Sequence, residues 1–336
     1  MKILRIILIM LLPTVVAPLF AQNTVDTKEP RWKQLNQAYG FLIAQQVSLE
    51  LIEKKFPELA TATKEAWFAF NSTALGEGAK GVEEELSKKH GTKWPEYKKT
   101  MTSQISETHE NYNLTRQQAS DFISEVKQRA KGNIPESILA TLLSAHARYA
   151  KNPGFEIIDG WKQTFRTKDH PKAKGVDFSV SFPASWSRRE GNRPNIIHVF
   201  QNGAGHGPVM CVLMVKDIPV PAGYKPTKEE IREIFQASEL KDMVPAGGTF
   251  VEAKSIVLED SPAVMLVSDQ TRQRMDTSFT MRMTQFVTIQ GSSMITIQFM
   301  AGKTSDSSES SDDLHKRYLP TYRIIANTLV LNDRYK

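Results

Sequence analysis

Cysteine is almost absent: Cys211 is the only one in 336 residues. No disulfide can form within the chain, which excludes the disulfide-scaffold class of small secreted domains and fits a bacterial envelope protein that relies on a large core. Cys211 lies in the apolar run 209–215 with no base beside it, so it reads as a buried, inert thiol. The sequence also lacks a G-x-S-x-G, an H-E-x-x-H, a P-loop and a paired-carboxylate motif, so no catalytic residue is named and a non-catalytic role is the expectation. A strong excess of one charge is lacking as well, with 43 Lys and Arg against 37 Asp and Glu. The formal net charge is +6, falling to +4 if a leader carrying Lys2 and Arg5 is removed. That mild excess favours anionic surfaces such as lipid headgroups and argues against nucleic acid as a partner. After residue 21 no run is long and apolar enough to span a bilayer.

What is present begins with the first twenty-one residues. Lys2 and Arg5 precede an apolar run over residues 6–20, interrupted by Pro13 and closed by the small residue Ala21. This is the order of a secretory signal peptide, with cleavage expected after Ala21 and a periplasmic or secreted mature protein. An uncleaved signal that anchors the chain in the membrane is the alternative. No cysteine near the signal offers a lipid-attachment site.

Two halves of different period follow. Over residues 30–150 apolar residues recur at helical spacing, with Leu35, Leu42, Leu49 and Phe56 in a seven-residue series ended by Pro57. A second helix carries Leu59, Ala66 and Phe70 and continues to Val82 and Leu86. A third runs from Trp94 through Ile105. A fourth is capped by Thr115 with Gln118 reaching back, and a fifth opens at Pro135. The first half is expected to be an all-helical bundle of four or five helices. Asn152, Pro153 and Gly154 punctuate the chain, and beyond them the period becomes alternating.

Strands are expected at 176–182, 196–200 and 209–215, the last apolar on both faces and so central. A helix capped by Thr227 and Glu230 comes next, then strands at 250–258, 263–268, 278–289 and 294–301. Residues 305–313 read as a solvated acidic loop, before a last helix with Tyr318, Tyr322, Ile325 and Leu329 on one stripe and Pro320 near its start or at a kink. Hairpin-length links point to a mainly antiparallel sheet covered by helices over residues 155–333. The whole is therefore an α+β protein.

In this second half Phe178, Phe182, Pro183 and Trp186 form a strand that ends in an aromatic residue, followed by a proline and a tryptophan. Together with the strand–helix order, they resemble the opening of PsbP-like domains over about half of the chain, residues 175–333. The segments 193–197 and 215–219 also look like exported bacterial proteins of unassigned function that join such a domain to helices. The resemblance implies an α/β/α sandwich in an export compartment, non-catalytic and used for protein contacts or assembly at a membrane. It assigns no functional residue.

Four constellations could carry chemistry. Gly76, Gly78 and Gly81 match G-x-G-x-x-G but follow a helical pattern, so close helix packing or a kink is preferred to a nucleotide loop. His206 stands in a glycine-rich connection between two strands. It could meet His198 across that loop, yet no third ligand is visible at suitable spacing, the other histidines are scattered, and no metal or cofactor is expected. Met210, Met214, Met281 and Met283 sit on strands among Phe and Val, and read as core in preference to a copper(I) site. Arg188, Arg189 and Arg193 follow Trp186 on what reads as a loop leaving a strand. Trp186 either stands out as an anchor for a partner or an anionic headgroup, or folds beneath the loop into the core.

The expected function is an exported binding or assembly factor of the bacterial cell envelope. Its candidate surface is Trp186, Arg188, Arg189, Arg193 and His206, and its partner an envelope protein or an anionic membrane surface. The alternative is a hydrolase, or a lipid- or small-molecule-binding protein, with its pocket between the two domains.

Overall fold

The protein is described from a computed structural model. It covers residues 30–335 apart from 111–112, 222, 237–239, 245–246, 275–276 and 303–308. The signal-peptide expectation for residues 1–21 lies outside the described residues. Among those described, no helix is long and apolar enough to cross a membrane. The chain divides into two compact units, the first ending at Lys151 and the second beginning at Asn152.

The first unit is helical throughout, with seven helices among its described residues in place of the four or five expected. These are α1 (Arg31–Lys55), α2 (Ala60–Asn71), α3 (Ala74–His90), α4 (Trp94–Glu110), α5 (Arg116–Arg129), α6 (Glu136–Ala145) and the short α7 (Ala147–Lys151). Helix α1 buries Leu35, Tyr39, Ile43 and Ile52, carries Lys54 and Lys55 in its last turn, and stops before Pro57. Those lysines complement the negative end of the helix dipole, and proline disfavours helical backbone in the residue before it. The expected second helix is in fact two. The chain breaks at Ser72 and Thr73, and the Thr73 hydroxyl accepts a hydrogen bond from the Leu75 amide to start α3. The capping box of Thr115 and Gln118 is present at the start of α5.

The three glycines lie inside α3 and pack helices together. A Cβ on Gly78 would stand 2.2 Å from the Leu142 carbonyl oxygen, and one on Gly81 1.9 Å from that of Ala145, both on α6. Gly76 lies equally close to the backbone of Asn71 at the end of α2. Arg31 adds a polar tie, bonding Glu85 of α3 at 2.8 Å and the Ser144 hydroxyl of α6 at 2.9 Å.

The second unit opens with a short helix α8 (Gly154–Ile158), followed by β1 (Lys162–Arg166), β2 (Phe178–Pro183), β3 (Ser187–Glu190), β4 (Ile196–Gln201) and β5 (Val209–Asp217). Helix α9 (Lys228–Ile234) comes next, under the expected capping box of Thr227 and Glu230. Strands β6 (Gly248–Leu258), β7 (Ser261–Arg274), β8 (Thr277–Gln290) and β9 (Ser293–Gly302) precede α10 (Ser311–Asn327) and the two-residue β10 (Val330–Leu331). Seven strands form one antiparallel sheet in the order β3-β4-β5-β9-β8-β7-β6, and β1-β2-β10 form a small second sheet. As expected, β5 is buried along both faces, from Val209 to Val215, between β4 and β9.

Alternation along β7 shows how the large sheet is used. Ala263, Met265 and Val267 join the core shared with Phe178, Phe182, Trp186, Leu314, Tyr322 and Ile325, which belong to the small sheet, the turn after it, and α10. Val264 and Leu266 point the other way, into a core with Ile231, Ile234 and Phe235 at α9. Helices therefore cover opposite faces of the sheet, and the α+β architecture holds. The same period of two makes both faces of a central strand apolar. Met210, Met214, Met281, Met283 and Met300 converge on the α9 side with Ile196, Val199 and Val212. All are fully buried, as unbranched thioethers that fill irregular gaps between strands.

Three parts of this unit depart from expectation. Strand β1 lies in a segment with no expected element, β3 occupies a segment read as loop, and the last helix begins at Ser311, inside the stretch read as a solvated loop. The Ser310 hydroxyl caps that helix by accepting from the Asp313 amide at 3.1 Å, and Pro320 sits within it.

Candidate binding surface

The expected contact surface maps onto the edge of the large sheet. The segment leaving β2 makes a tight turn in which the Trp186 amide donates to the Pro183 carbonyl at 3.1 Å. This turn folds the indole under the backbone: Trp186 is 2% exposed and packs beside Phe182 at 6.2 Å between ring centroids. The choice of Trp186 as an exposed anchor is therefore corrected to a core residue. Burying so large an apolar ring takes a large apolar area out of water, which favours the core position. Its carbonyl accepts from the Gln163 side chain at 2.6 Å. Next to it Glu156 takes two hydrogen bonds from Ser185, from the amide at 2.5 Å and from the hydroxyl at 2.7 Å. Burial pushes the Glu156 carboxyl up to about 8, against the opposing effect of those two donors.

After the turn the chain becomes β3, the edge strand, where a loop was expected. It pairs residue by residue with β4: Ser187 with Gln201, Arg188 with Phe200, Arg189 with Val199 and Glu190 with His198. The alternation separates the arginines. Arg188 and Glu190 are exposed on the face of Phe200 and His198, whereas Arg189 is half-buried on the opposite face beside Val199. Burial draws the Arg189 guanidinium below its ordinary value. Arg193 lies half-buried in the turn to β4, with its carbonyl accepting from the Ile196 amide at 3.1 Å. Gly191 shapes that turn, since a Cβ there would lie 2.3 Å from the Ile196 carbonyl oxygen.

At the other end of this hairpin Asn202 organises the glycine-rich connection. Its side chain accepts from the Val209 amide at 2.9 Å and donates to the Tyr318 hydroxyl at 2.5 Å, and the Ala204 amide donates to the Ser185 carbonyl at 2.9 Å. His206 follows this turn, half-buried, and its amide donates to the Gly203 carbonyl at 3.1 Å. His206, which could have met His198 across the loop, is not among the residues grouped around His198. His198 instead meets His170 and Glu190, and one side-chain ligand atom from each lies within 4.8 Å of the other two.

Glu190 is the centre of this group. His170 Nε2 stands 3.2 Å from its carboxylate and His198 Nδ1 3.3 Å from Oε2, while Lys172 Nζ donates to Oε1 at 2.9 Å. Lys172 Nζ also donates to the Gly191 carbonyl. Burial alone would raise the Glu190 pKa, but hydrogen bonds from Lys172 and His170 outweigh it and hold the carboxyl below its usual value. Burial pulls His198 down against the attraction of Glu190. The Phe165 ring of β1 lies 4.3 Å from the His198 ring, centroid to centroid, and fixes its plane. The Lys172 amide donates to His170 Nδ1 at 3.2 Å.

Sequence reasoning missed His170, Lys172 and Glu190. His170 looked like one of several scattered histidines, and Glu190 lay in an apparent loop. Reading β3 as a strand would have placed Glu190 opposite His198. The approach of His170 depends on the long connection from β1 to β2 and had no local signal.

No protein-family model matches the chain, and no curated protein matches it. Among solved structures, a crystal structure from Bacteroides thetaiotaomicron is similar at 18% identity over 46% of this chain and 44% of that one, with a TM-score of 0.26. A protein of unknown function from Pseudomonas aeruginosa is similar at 14% identity over 51% of this chain and 97% of that one, with a TM-score of 0.25. The chain thus spans less than half the length of the first, and likenesses this slight carry no argument about function.

Proposed function

We propose that the protein is an exported, non-catalytic binding or assembly factor of the bacterial cell envelope, and that its contact surface is the basic edge of the seven-stranded sheet. The observation that carries this reading is the placement of Arg188, exposed, on the edge strand of that sheet, with Arg193 in the turn that follows. A guanidinium presents a rigid fork of donors suited to carboxylates and phosphates, and edge strands are the parts of a sheet most readily joined by another chain. An acidic envelope protein or an anionic headgroup is the matching partner. Residues 1–21, as a signal peptide, would deliver the chain to that compartment. The resemblance of the second unit to PsbP-like domains belongs to the same reading and points the same way.

The test is site-specific photocrosslinking in the native host, with the crosslinker at Arg188 and, as control, at Lys254 on the opposite edge strand β6. The proposal expects one envelope protein or anionic lipid captured from position 188 alone, and lost when Arg189 and Arg193 are changed to Ser. Equal capture from both edges, or capture that survives those changes, would refute it.

A second reading, binding of a small molecule, draws on a groove of about 360 Å³ within the helical unit, lined among others by Tyr39, Trp67, Phe70, Lys80, Glu83 and Lys98. It combines aromatic walls with both signs of charge, as ligand pockets do. Quenching of Trp67 fluorescence by host metabolite extracts, absent in Trp67→Phe, would favour it. Unchanged Trp67 emission would count against it.

A further inference from the structure

We propose that His170, Glu190 and His198 form a binding site for a zinc-like divalent ion. Two imidazole nitrogens and a carboxylate oxygen suit a borderline ion such as Zn²⁺, whereas Mg²⁺ and Ca²⁺ prefer sites made of oxygen alone.

The distances fit. Zinc holds nitrogen and oxygen ligands at about 2.0–2.1 Å, so neighbouring ligand atoms of a tetrahedron stand about 3.3 Å apart. Here His170 Nε2 and His198 Nδ1 lie 3.2 and 3.3 Å from Glu190 Oε2. A shared carboxylate oxygen thus sets two of the three edges at the spacing an ion requires, and the two nitrogens lie within 4.8 Å of each other, close enough to draw in around an ion. The remaining groups act as supports. Lys172 bonds the other oxygen, Oε1, leaving Oε2 to the ion, and Phe165 packs against His198 with the rings tilted by 36° and holds it in place. Ligands held by such outer contacts bind metals more tightly. Glu190 is 53% exposed, so the open side of the site faces water and supplies an entry path and a solvent ligand.

Proton bookkeeping adds a distinctive consequence. Without an ion, His170 Nδ1 accepts from the Lys172 amide, so its Nε2 carries the hydrogen that faces Glu190, while His198 Nδ1 donates to the Ile197 carbonyl at 3.0 Å and lies 3.3 Å from Glu190 Oε2. Ion binding requires lone pairs on those facing nitrogens. In each neutral ring the proton therefore moves to the other nitrogen, and no proton is released. His170 Nδ1 becomes a donor and the Lys172 amide loses its acceptor, as the Ile197 carbonyl loses its donor, so the turn at residues 170–172 must shift when the ion enters.

The test is equilibrium dialysis and calorimetry of the whole chain as its host produces it, stripped of metals, against ZnCl₂, with MgCl₂ and CaCl₂ as controls. One equivalent of Zn²⁺ should bind, with affinity weakened at least tenfold in His170→Gln and in His198→Gln, and unchanged in His206→Gln. Glu190→Gln, at an exposed position that leaves folding intact, should weaken it similarly. The Lys172 amide resonance should move on adding Zn²⁺ to the parent chain and stay still in Glu190→Gln. Absence of Zn²⁺ binding at 1:1 stoichiometry, binding that survives both histidine changes together, equal binding of Mg²⁺, or a stationary Lys172 amide would each overturn the proposal.

Discussion

The two units reach stability by different routes. In the helical unit the tightest points are backbone to backbone, where Gly78 and Gly81 let α3 lie against the carbonyls of α6. Polar ties such as Arg31 to Glu85 and Ser144 then fix the register of the helices. In the β unit the sheet carries apolar side chains on both faces, and cores with α10 and α9 lie on opposite sides. The first unit is thus sensitive to an added atom and the second to a lost one. The contrast also bears on function: the β unit's central strands are committed to packing, which leaves its edges for contact with other molecules.

Substitutions sharpen this comparison, the largest effects being expected in the two cores. Gly81→Ala places a methyl 1.9 Å from the Ala145 carbonyl oxygen, and the same change at Gly78 gives 2.2 Å from Leu142. Backbone cannot yield as a side-chain tip does, so each should cost about 3 kcal/mol or more, at the upper end of overpacking penalties. Urea unfolding followed by circular dichroism at 222 nm measures this. A loss below about 1 kcal/mol would mean that the helices slide apart freely. In the β unit the opposite operation, Trp186→Ala, should cost about 3–5 kcal/mol by leaving a cavity under the turn after β2. A near-neutral result would restore Trp186 to the surface.

A more gradual effect, spread over several pH units, separates the units by pH. Glu156 in the β unit has a folded pKa of about 8, above its ordinary value of 4.5. A carboxyl with a raised pKa contributes most when protonated. Its contribution is complete below pH 4.5 and is lost as pH rises toward 8 and through it. Unfolding free energy should fall by about 1.4 kcal/mol per pH unit, on the order of 5 kcal/mol across the whole range, and Glu156→Gln should flatten the slope. A wild-type slope unchanged in the glutamine variant would place the titration elsewhere. Smaller again is the loss of a cap: Thr227→Ala removes the acceptor of the Glu230 amide at the start of α9 and should cost about 1 kcal/mol in thermal unfolding, as should Thr115→Ala at α5.

Much of this architecture was legible in the residues. The two capping boxes, the end of α1 before Pro57 and the doubly apolar β5 are local patterns that tertiary structure left in place. The missed elements share a physical cause. Ser187 to Glu190 holds no apolar residue at all, and β1 has Phe165 as its single large one, so neither shows the alternation that marks a half-buried strand. Each is a strand because a neighbour supplies the pairing. Short α7 and α8 span five residues each, too few for a helical period to register. The candidate surface was legible only in part. Arg188, Arg189 and Arg193 were found as a cluster, but their division between two faces depends on the pairing of β3 with β4, and the burial of Trp186 depends on a turn. The gathering of His170 and Glu190 around His198 joins residues brought together only by the fold.

The edge arginines give the sharpest separation between folding and function. Charged residues on an edge strand can serve only to keep sheets from joining, or they can recruit a partner. Changing Arg189 and Arg193 to Ser, with the crosslinking residue in place of Arg188, and measuring both the oligomeric state of the purified chain and its crosslinking in the native host, distinguishes these roles. The account predicts a monodisperse variant within about 0.5 kcal/mol of the parent in stability that has lost its envelope partner. A variant that aggregates while its crosslinks persist would contradict the account and leave the arginines as guards of the edge.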